Sequence, residues 1–192
     1  MEKIPTIFDR NWEGDRKVNE KLVVTDFDFA NAVATEKLDG TNIRVTVRNH
    51  FVVRVEKRRN PSKEEKAKGI VEPWYVDASP SDSADKYVFE AVENTDFSDV
   101  PDGEWSAEAL GEKVQGNPLN LKGHTLFIFS LESWRNKITY ENVPTDFKGL
   151  KEWLPKQKSK FGADCGIEGI VWHNKIDGSM CKIKVKDFDY KK

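Results

Sequence analysis

The chain has 192 residues, of which 38% are hydrophobic and 33% are charged. This composition is typical of a soluble globular protein, and the length favours a single domain. No apolar run approaches the ~20 residues that a membrane-spanning helix needs, and the N-terminus lacks the apolar core of a signal peptide. The two cysteines, Cys165 and Cys181, form neither a disulfide framework nor a metal-ligand pattern. These features predict a reducing, cytoplasmic setting.

The charges are unevenly distributed along the chain. The net charge is only −2, which argues against a general nucleic-acid coat protein. From Glu72 to Glu112, however, twelve acidic residues face a single basic one, Lys86. Such asymmetry is compatible with a basic groove on an otherwise neutral protein.

Strands dominate the predicted secondary structure. Alternating apolar residues predict strands over residues 32–38, 42–48, 51–56, 104–110, 125–132, 137–141, 167–173 and 180–185. Tight turns are predicted at Asn49-His50 and at Asp177-Gly178, where each would join two neighbouring strands. Hairpin links of this kind predict largely antiparallel sheets.

Three helices are predicted between these strands. Ser62 and Glu65 form a capping box, so a short helix is expected over 62–68, and Gly69 ends it. Apolar residues at helical spacing predict a second helix over 83–94, and a third covers 145–160 with an interruption at its proline. Few helices flanking hairpin-linked strands indicate an α+β fold.

The stretch T-E-K-L-D-G-T-N-I-R-V-T-V, residues 35–47, contains the first candidate site. Lys37 stands where one strand ends, and Asp39-Gly40 breaks the chain before the next strand begins. Short polar side chains surround this break, and the glycine permits close approach of a ligand or a positive φ angle. Lys37 therefore either faces a pocket or is a solvated lysine beside an ordinary β-turn.

The last predicted strand carries alternating lysines. In C-K-I-K-V-K-D-F, Lys182, Lys184 and Lys186 alternate with apolar residues, so a strand places them on one face. A row of ammonium groups can bind phosphate oxygens. The alternative is a solvated edge strand whose lysines prevent aggregation.

Two glutamates are predicted on apolar strand faces. Glu168 shares a face with Ile170 and Trp172, and Glu108 shares one with Leu110. A carboxylate in such a position is costly unless it is paired or binds a cation. Mg²⁺ or ribose hydroxyl groups would satisfy these glutamates, and a salt bridge to Arg or Lys is the alternative.

Aromatic and arginine pairs complete the candidates. Phe127 and Phe129 are predicted on one strand face, either as core residues or as a surface that stacks on a purine base. Arg58 and Arg59 lie in K-R-R-N beside the first hairpin, where a guanidinium suits phosphate or solvent equally well.

The order of these motifs resembles that of the covalent nucleotidyltransferases, specifically the ATP-dependent RNA ligases. The motifs are K-L-D-G-T-N, K-R-R-N, A-E-A-L-G with V-Q-G-N-P, L-F-I-F, E-G-I-V and K-I-K. The V-Q-G-N-P-L stretch and the opening I-P-T-I-F-D-R resemble the second, phage-type RNA-ligase family. The resemblance runs from about residue 4 to 188. Ser130 departs from it, because related ligases often carry an acid after the aromatic residue.

The resemblance implies a role for each motif. Lys37 would attack the α-phosphate of ATP and become lysyl-AMP, while Lys182 and Lys184 would bind that phosphate. Glu168 would serve catalysis, and Glu168 and Glu108 would hold the metal ion or the ribose. The other residues implied to bind the nucleotide are Glu36, Leu38, Asp39, Asn42, Arg58 or Arg59 on phosphate, and Phe129 or Phe127 on adenine.

The implied activity is ATP-dependent RNA ligation with Mg²⁺ or Mn²⁺ in a phage- or bacterium-type cytoplasm. AMP would pass from Lys37 to a 5′-phosphate RNA end, which a 3′-hydroxyl would then seal, as in RNA repair. The implied fold is a single nucleotidyltransferase domain over 1–192, of the ATP-grasp-like ligase type, without an appended OB-fold because eight residues follow Lys184. The alternatives are the core of a DNA ligase or mRNA capping enzyme, or a non-catalytic module that binds nucleic-acid ends or nicks.

Overall fold

A computed structural model describes residues 3–191 of the chain. Strands and a few short helices form two compact units. One unit contains Asp39–Arg135, and the other contains Ile4–Leu38 and the chain from Asn136 onward. Over the described residues, every pair of neighbouring strands is antiparallel. The predicted α+β class with antiparallel sheets and few helices is therefore confirmed.

The strands of the described residues are, in chain order, β1 Phe8–Arg10, β2 Val18–Leu22, β3 Ala32–Glu36, β4 Thr41–Arg48, β5 Phe51–Arg59, β6 Trp74–Asp77, β7 Gly103–Gly111, β8 His124–Phe127, β9 Thr139–Tyr140, β10 Gly169–Asn174 and β11 Met180–Lys184. The α-helices are α1 Lys63–Ala67, α2 Lys86–Glu93, α3 Glu132–Arg135 and α4 Phe147–Trp153. Short 3-10 turns are Phe29–Asn31, Ser83–Asp85, Asn136–Ile138, Leu154–Lys156 and Val185–Asp187. No helix among residues 3–191 is long and apolar enough to cross a membrane.

The unit Asp39–Arg135 is built on a five-stranded sheet with the order β6-β5-β4-β7-β8. The central strand β4 alternates, so Ile43 and Val45 are fully buried while their neighbours Asn42 and Arg44 lie on the opposite face. Helix α2 packs against strands β7 and β8. One face of this sheet is therefore apolar core, and the other carries polar side chains.

The second unit contains a four-stranded sheet with the order β11-β10-β3-β9 and the β1–β2 pair. Its core contains Ile170 and Trp172 of β10 and Cys181 and Ile183 of β11, all buried. These residues lie side by side on one face of the sheet, because β10 and β11 pair Ile170 with Ile183 and Trp172 with Cys181. Leu150 of α4 and a further set of apolar side chains complete this core.

Local signals predicted the first hairpin and helix correctly. Asn49 and His50 have φ angles of 49° and 66°, as a two-residue turn with both residues left-handed requires. The Ser62 side chain accepts from the Glu65 N–H and the Glu65 carboxylate from the Ser62 N–H, which confirms the capping box. Gly69 follows α1 with a φ of 89°.

The strand predicted over 125–132 was wrong in its second half. Strand β8 ends at Phe127, and the chain turns before α3 begins at Glu132. The turn is held by Ser130, whose N–H and hydroxyl both donate to the Ser106 carbonyl. Arg135 adds bonds to the carbonyls of Phe129 and Ser130. Phe129 therefore lies outside the strand that contains Phe127.

The predicted lysine row on the last strand was one residue too long. Strand β11 ends at Lys184, and Lys186 lies in a 3-10 turn. The turn forms because the buried Asp187 carboxylate accepts the Lys184 N–H at 2.8 Å and an Arg10 guanidinium N–H at 2.5 Å. The pairing of β1 with β2, which closes the start of this unit, was not predicted from the sequence.

Candidate active site

The Lys37 side chain lies in an ion-pair cluster. Its Nζ donates to Glu168 Oε2 at 2.9 Å, and Lys184 Nζ lies 3.2 Å from Glu168 Oε1. The three side chains are 24%, 12% and 21% exposed, so all are largely buried but reachable. One carboxylate thus holds two ammonium groups together at the surface of the sheet.

Strand register explains why these lysines meet. Gly169 of β10 pairs with Lys184 of β11, and its carbonyl accepts the Lys37 N–H at 2.9 Å. The two lysines thus flank a residue without a side chain. A Cβ at Gly169 would lie 2.1 Å from the Ile183 carbonyl, so only glycine fits here. The preceding residue, Glu168, supplies the carboxylate between them.

The position of Glu168 corrects one prediction. Its carboxylate contacts two lysines rather than sharing the apolar face of Ile170 and Trp172. Glu168 precedes β10, so strand alternation does not extend to it. Of the alternatives left open by the sequence, the salt bridge is the one observed.

Lys182 lies on the same side of the sheet as Lys184. Lys182 pairs with Val171 and Lys184 pairs with Gly169. Residues two apart in a strand point to the same face, so the side chains of Lys182 and Lys184 share one face of the sheet. The Lys182 backbone N–H donates to Pro5, and its carbonyl accepts from Ile7. The chain before β1 therefore forms backbone hydrogen bonds along the outer edge of β11. The alternative prediction, a solvated edge strand whose lysines prevent aggregation, required this edge to be free.

Glu36 faces away from Lys37. Because Glu36 pairs with Ile170 in β10, its side chain points to the core face, where it is 3% exposed. Its carboxylate accepts from the Ser159 hydroxyl at 2.5 Å and from the Lys160 N–H at 2.8 Å. Burial raises the pKa of Glu36 above its ordinary value, and the hydrogen bonds partly oppose that rise.

Three polar residues of this unit were missed by the sequence reasoning. Ser159 and Tyr140 both donate hydrogen bonds to the Glu36 carboxylate, and neither lies in a recognisable motif. Burial raises the pKa of Tyr140. Thr35 forms a hydrogen bond of 3.1 Å with His173 Nε2 on the face that carries Lys182 and Lys184. Two-residue alternation from Lys37 back to Thr35 could have identified it.

Except for Leu38, the other predicted residues belong to the unit Asp39–Arg135, where several of them lie in a row across the polar face of the sheet. Asn42 of β4 pairs with Glu108 of β7, which pairs with Phe127 of β8. Asn42 accepts from the Tyr75 hydroxyl at 2.7 Å, and Glu108 accepts from the Gly40 N–H at 3.2 Å. Together these residues present amide and carboxylate groups on one face.

Gly40 is required by close packing rather than by a left-handed φ. A Cβ there would lie 2.2 Å from the Ala109 carbonyl. The boundary between the two units lies just before Asp39. Asp39 belongs to the unit Asp39–Arg135, and Leu38, which is buried at 6% exposure, belongs to the other unit.

The structure distinguishes Arg58 from Arg59. Arg58 pairs with Tyr75 and thus shares the polar face with Asn42, and its Nε is buried with no hydrogen-bond partner among residues 3–191. Arg59 instead places its guanidinium over Trp74 at 4.6 Å and forms an ion pair with Glu65. The polar face therefore carries the guanidinium of Arg58 rather than that of Arg59, and a guanidinium on this face suits an anionic ligand.

The two phenylalanines also differ. Phe127 is 2% exposed and packs edge-on against Trp134 with ring centroids 5.7 Å apart. Phe129 is half-buried and lies beyond the end of β8. Phe129 is therefore the more accessible ring.

A divalent cation would have few protein ligands. Within the described residues, no group of three or more His, Cys, Asp or Glu side chains is arranged to hold a metal ion. Mg²⁺ in phosphate-transfer sites is commonly held by one or two carboxylates together with substrate phosphates, so a single carboxylate such as that of Glu168 suffices for that mode.

Comparison with known proteins gave weak matches. No family model and no curated protein matches the chain. Solved structures of a Naegleria gruberi RNA ligase are similar. A mutant with ATP and Mn has 16% identity and a TM-score of 0.45 over 80% of this chain and 49% of that one. The ligase with PPi has 18% identity and a TM-score of 0.41 over 81% and 49%. The chain thus spans about half the length of these ligases, and matches at this level do not establish a family.

Proposed function

We propose that this chain is an ATP-dependent RNA ligase that forms lysyl-AMP at Lys37. The observation that carries the proposal is the cluster of Lys37, Glu168 and Lys184, in which all three residues come from separate motifs of the ligase order. The V-Q-G-N-P-L stretch and the I-P-T-I-F-D-R opening favour the phage-type ligases within this class. We further propose that residues 1–192 act as one nucleotidyltransferase domain of the ATP-grasp-like ligase type.

The cluster supports the first chemical step. Lys37 Nζ must lose a proton before it attacks, and we propose Glu168 Oε2, 2.9 Å away, as the acceptor of that proton. A bond then forms between Nζ and the α-phosphorus of ATP, and the bond from that phosphorus to the pyrophosphate oxygen breaks. The Lys184 ammonium, with Lys182 on the same face, offsets negative charge on the phosphate oxygens.

Two transfers would complete the reaction. An oxygen of the RNA 5′-phosphate attacks the phosphorus of lysyl-AMP, the P–N bond breaks, and Lys37 regains its proton. The 3′-hydroxyl then attacks the activated 5′-phosphate and AMP leaves. Mg²⁺ or Mn²⁺ would offset phosphate charge, with Glu168 as its proposed ligand.

The remaining candidate residues lie in the unit Asp39–Arg135. We assign Arg58 to phosphate, because it shares the polar sheet face with Asn42, whereas Arg59 is held by Trp74 and Glu65. Glu108 is assigned to ribose and Phe129, the more accessible ring, to adenine. Asn42 and Asp39 are assigned to the phosphate end.

The test is covalent labelling with α-labelled ATP and Mg²⁺, followed by denaturing gel and acid treatment. Wild type should take up an acid-labile label, and Lys37→Ala and Lys37→Arg should take up none. Lys21→Ala is the matched control, because Lys21 is an exposed lysine of β2 in the same unit. EDTA should abolish labelling.

Discharge of the label then separates the candidate functions. Loss of label to 5′-phosphorylated RNA but not to the DNA of the same sequence supports an RNA ligase. Preference for DNA would indicate a DNA-ligase core, and labelling by GTP alone a capping-type enzyme. No label from ATP, GTP or NAD would sink the enzymatic proposal and favour a module that binds nucleic-acid ends.

A further inference from the structure

An open cavity of about 470 Å³ lies in the unit that carries Lys37. Its rim includes three lysines, Lys17, Lys186 and Lys191, together with the Tyr190 ring. Glu168 forms part of its wall. We call this the lysine-rimmed cavity. None of the four rim residues belongs to a ligase motif.

The rim is held by specific hydrogen bonds. Lys17 Nζ donates to the Lys186 carbonyl at 2.8 Å, which ties the start of β2 to the turn after β11. The Val185 N–H donates to the Glu168 carbonyl at 2.9 Å. The Tyr190 hydroxyl donates to the Lys151 carbonyl at 3.0 Å. The cavity is thus part of the folded structure rather than a gap between loose segments.

Charge favours an anionic occupant. The lining residues include three lysines and two acidic residues, Glu168 and Asp189. The Glu168 carboxylate is already held by Lys37 and Lys184, and Asp189 accepts the Lys191 backbone N–H at 2.9 Å. Lys17 uses one of its three N–H groups on the Lys186 carbonyl, so the others can bind phosphate.

Shape and position narrow the class of ligand. Tyr190 is 43% exposed, and an exposed aromatic ring beside lysines suits a base joined to a phosphate. Glu168 lines the cavity, and its carboxylate also contacts Lys37 Nζ. A nucleotide bound here would therefore lie beside the residue that contacts the lysine we propose carries AMP.

We propose that the lysine-rimmed cavity binds the 5′-phosphorylated terminal nucleotide of the RNA that accepts AMP. This assignment rests on the proposed ligase function. Lys17 and Lys186 bind the terminal phosphate, and Tyr190 stacks on the base. The cavity thus selects RNA ends that carry the attacking phosphate over 5′-hydroxyl ends.

The test is equilibrium binding of a short fluorescent RNA, with either a 5′-phosphate or a 5′-hydroxyl, to the protein without ATP. Wild type should prefer the phosphorylated RNA. The double variant Lys17→Met with Lys186→Met should bind phosphorylated RNA about tenfold more weakly at low salt, with a shallower salt dependence. Its affinity for 5′-hydroxyl RNA should change little, which removes the preference.

Two further variants keep the test decisive. Lys186→Met alone removes an exposed side chain, because only the backbone carbonyl of Lys186 holds Lys17, so it should fold normally and lose part of the preference. The matched control is Lys21→Met with Lys175→Met, which removes the same charge from exposed positions outside the cavity. Equal losses for both RNAs, equal losses in the control, or an unchanged preference would each overturn the proposal.

The measurement needs no turnover, so it is independent of the labelling experiment. A protein that labels with ATP but shows no cavity-dependent preference would overturn only the cavity assignment. A protein that never labels, yet loses its preference in the Lys17 and Lys186 variants, would refute the ligase proposal while supporting a 5′-phosphate end site here.

Discussion

The buried Glu36 carboxylate offers the sharpest test of the structure. It accepts hydrogen bonds from the Ser159 hydroxyl and the Lys160 N–H, and so fastens the segment around 159–160 to β3. Hydrogen bonds to a charged group contribute about 1.5 kcal/mol or more each, so two are worth about 3 kcal/mol. Removing the carboxylate also relieves the cost of burying a charge, so Glu36→Ala should lower the free energy of unfolding by about 2 kcal/mol.

The assay is chemical denaturation followed by fluorescence of the six tryptophans. Glu152→Ala, at an exposed position of α4, is the matched control and should change the free energy of unfolding by less than about 0.5 kcal/mol. If Glu36→Ala proved as stable as this control, the hydrogen bonds to Ser159 and Lys160 would contribute nothing, and the inward position of Glu36 would be refuted.

Glu36 also predicts a pH dependence with a defined sign. Burial raises its pKa in the folded protein, so the folded state holds a proton more tightly than the unfolded state does. Stability from this group is therefore greatest below the ordinary glutamate pKa of 4.5 and falls as the pH rises through the raised value. Relative to Glu36→Gln, wild type should lose stability over that range. A difference between the two proteins that is constant with pH would contradict this reasoning.

Three further predictions concern the sheets. Gly169→Ala should abolish labelling and lower the melting temperature, because its Cβ would meet the Ile183 carbonyl at 2.1 Å; a variant with normal melting and labelling would refute the register. Arg44→Met should cost about 2 kcal/mol in denaturation, since it leaves the buried carboxylate of Glu56 without its bidentate partner. Arg44 holds the pKa of Glu56 below its ordinary value, so this stabilisation is present above that value and lost as the pH falls; equal acid sensitivity of the variant would contradict it. Thr46→Val should stabilise the protein by about 0.5–1 kcal/mol in the same assay, because the buried Thr46 hydroxyl has no hydrogen-bond partner among the described residues, and clear destabilisation would show that one exists.

Elements encoded by neighbouring residues were predicted well. The Asn49-His50 hairpin and the Ser62–Glu65 capping box depend on interactions across two to four residues, which can be read directly from the sequence. The failures occurred where a distant residue intervened. Strand β8 ends early because Ser130 donates a hydrogen bond to the Ser106 carbonyl. Strand β11 ends at Lys184 because the Asp187 carboxylate accepts hydrogen bonds from the Arg10 guanidinium and the Lys184 N–H.

The candidate site shows the same division. Alternation along a single strand placed Lys182 and Lys184 on one face. Between Arg58 and Arg59, alternation alone could not choose, because the polar face of β5 is defined only by its pairing with β6 and by the Tyr75 contact to Asn42. Glu168 was assigned to the wrong face because the strand begins one residue after it.

The sequence by itself determined the strand-rich α+β class, the turns, the amphipathic alternation and the residue types available for chemistry at Lys37 and on β11. Those properties follow from backbone preferences and from the two-residue period of a strand, both of which are local. Only the tertiary structure decided that Gly169 separates Lys37 from Lys184, that Glu168 bridges them and that Glu36 turns inward to Ser159. Lys37 and Glu168 lie 131 residues apart and Glu36 and Ser159 lie 123 apart, and all of these contacts depend on strand register and close packing, which no local pattern specifies.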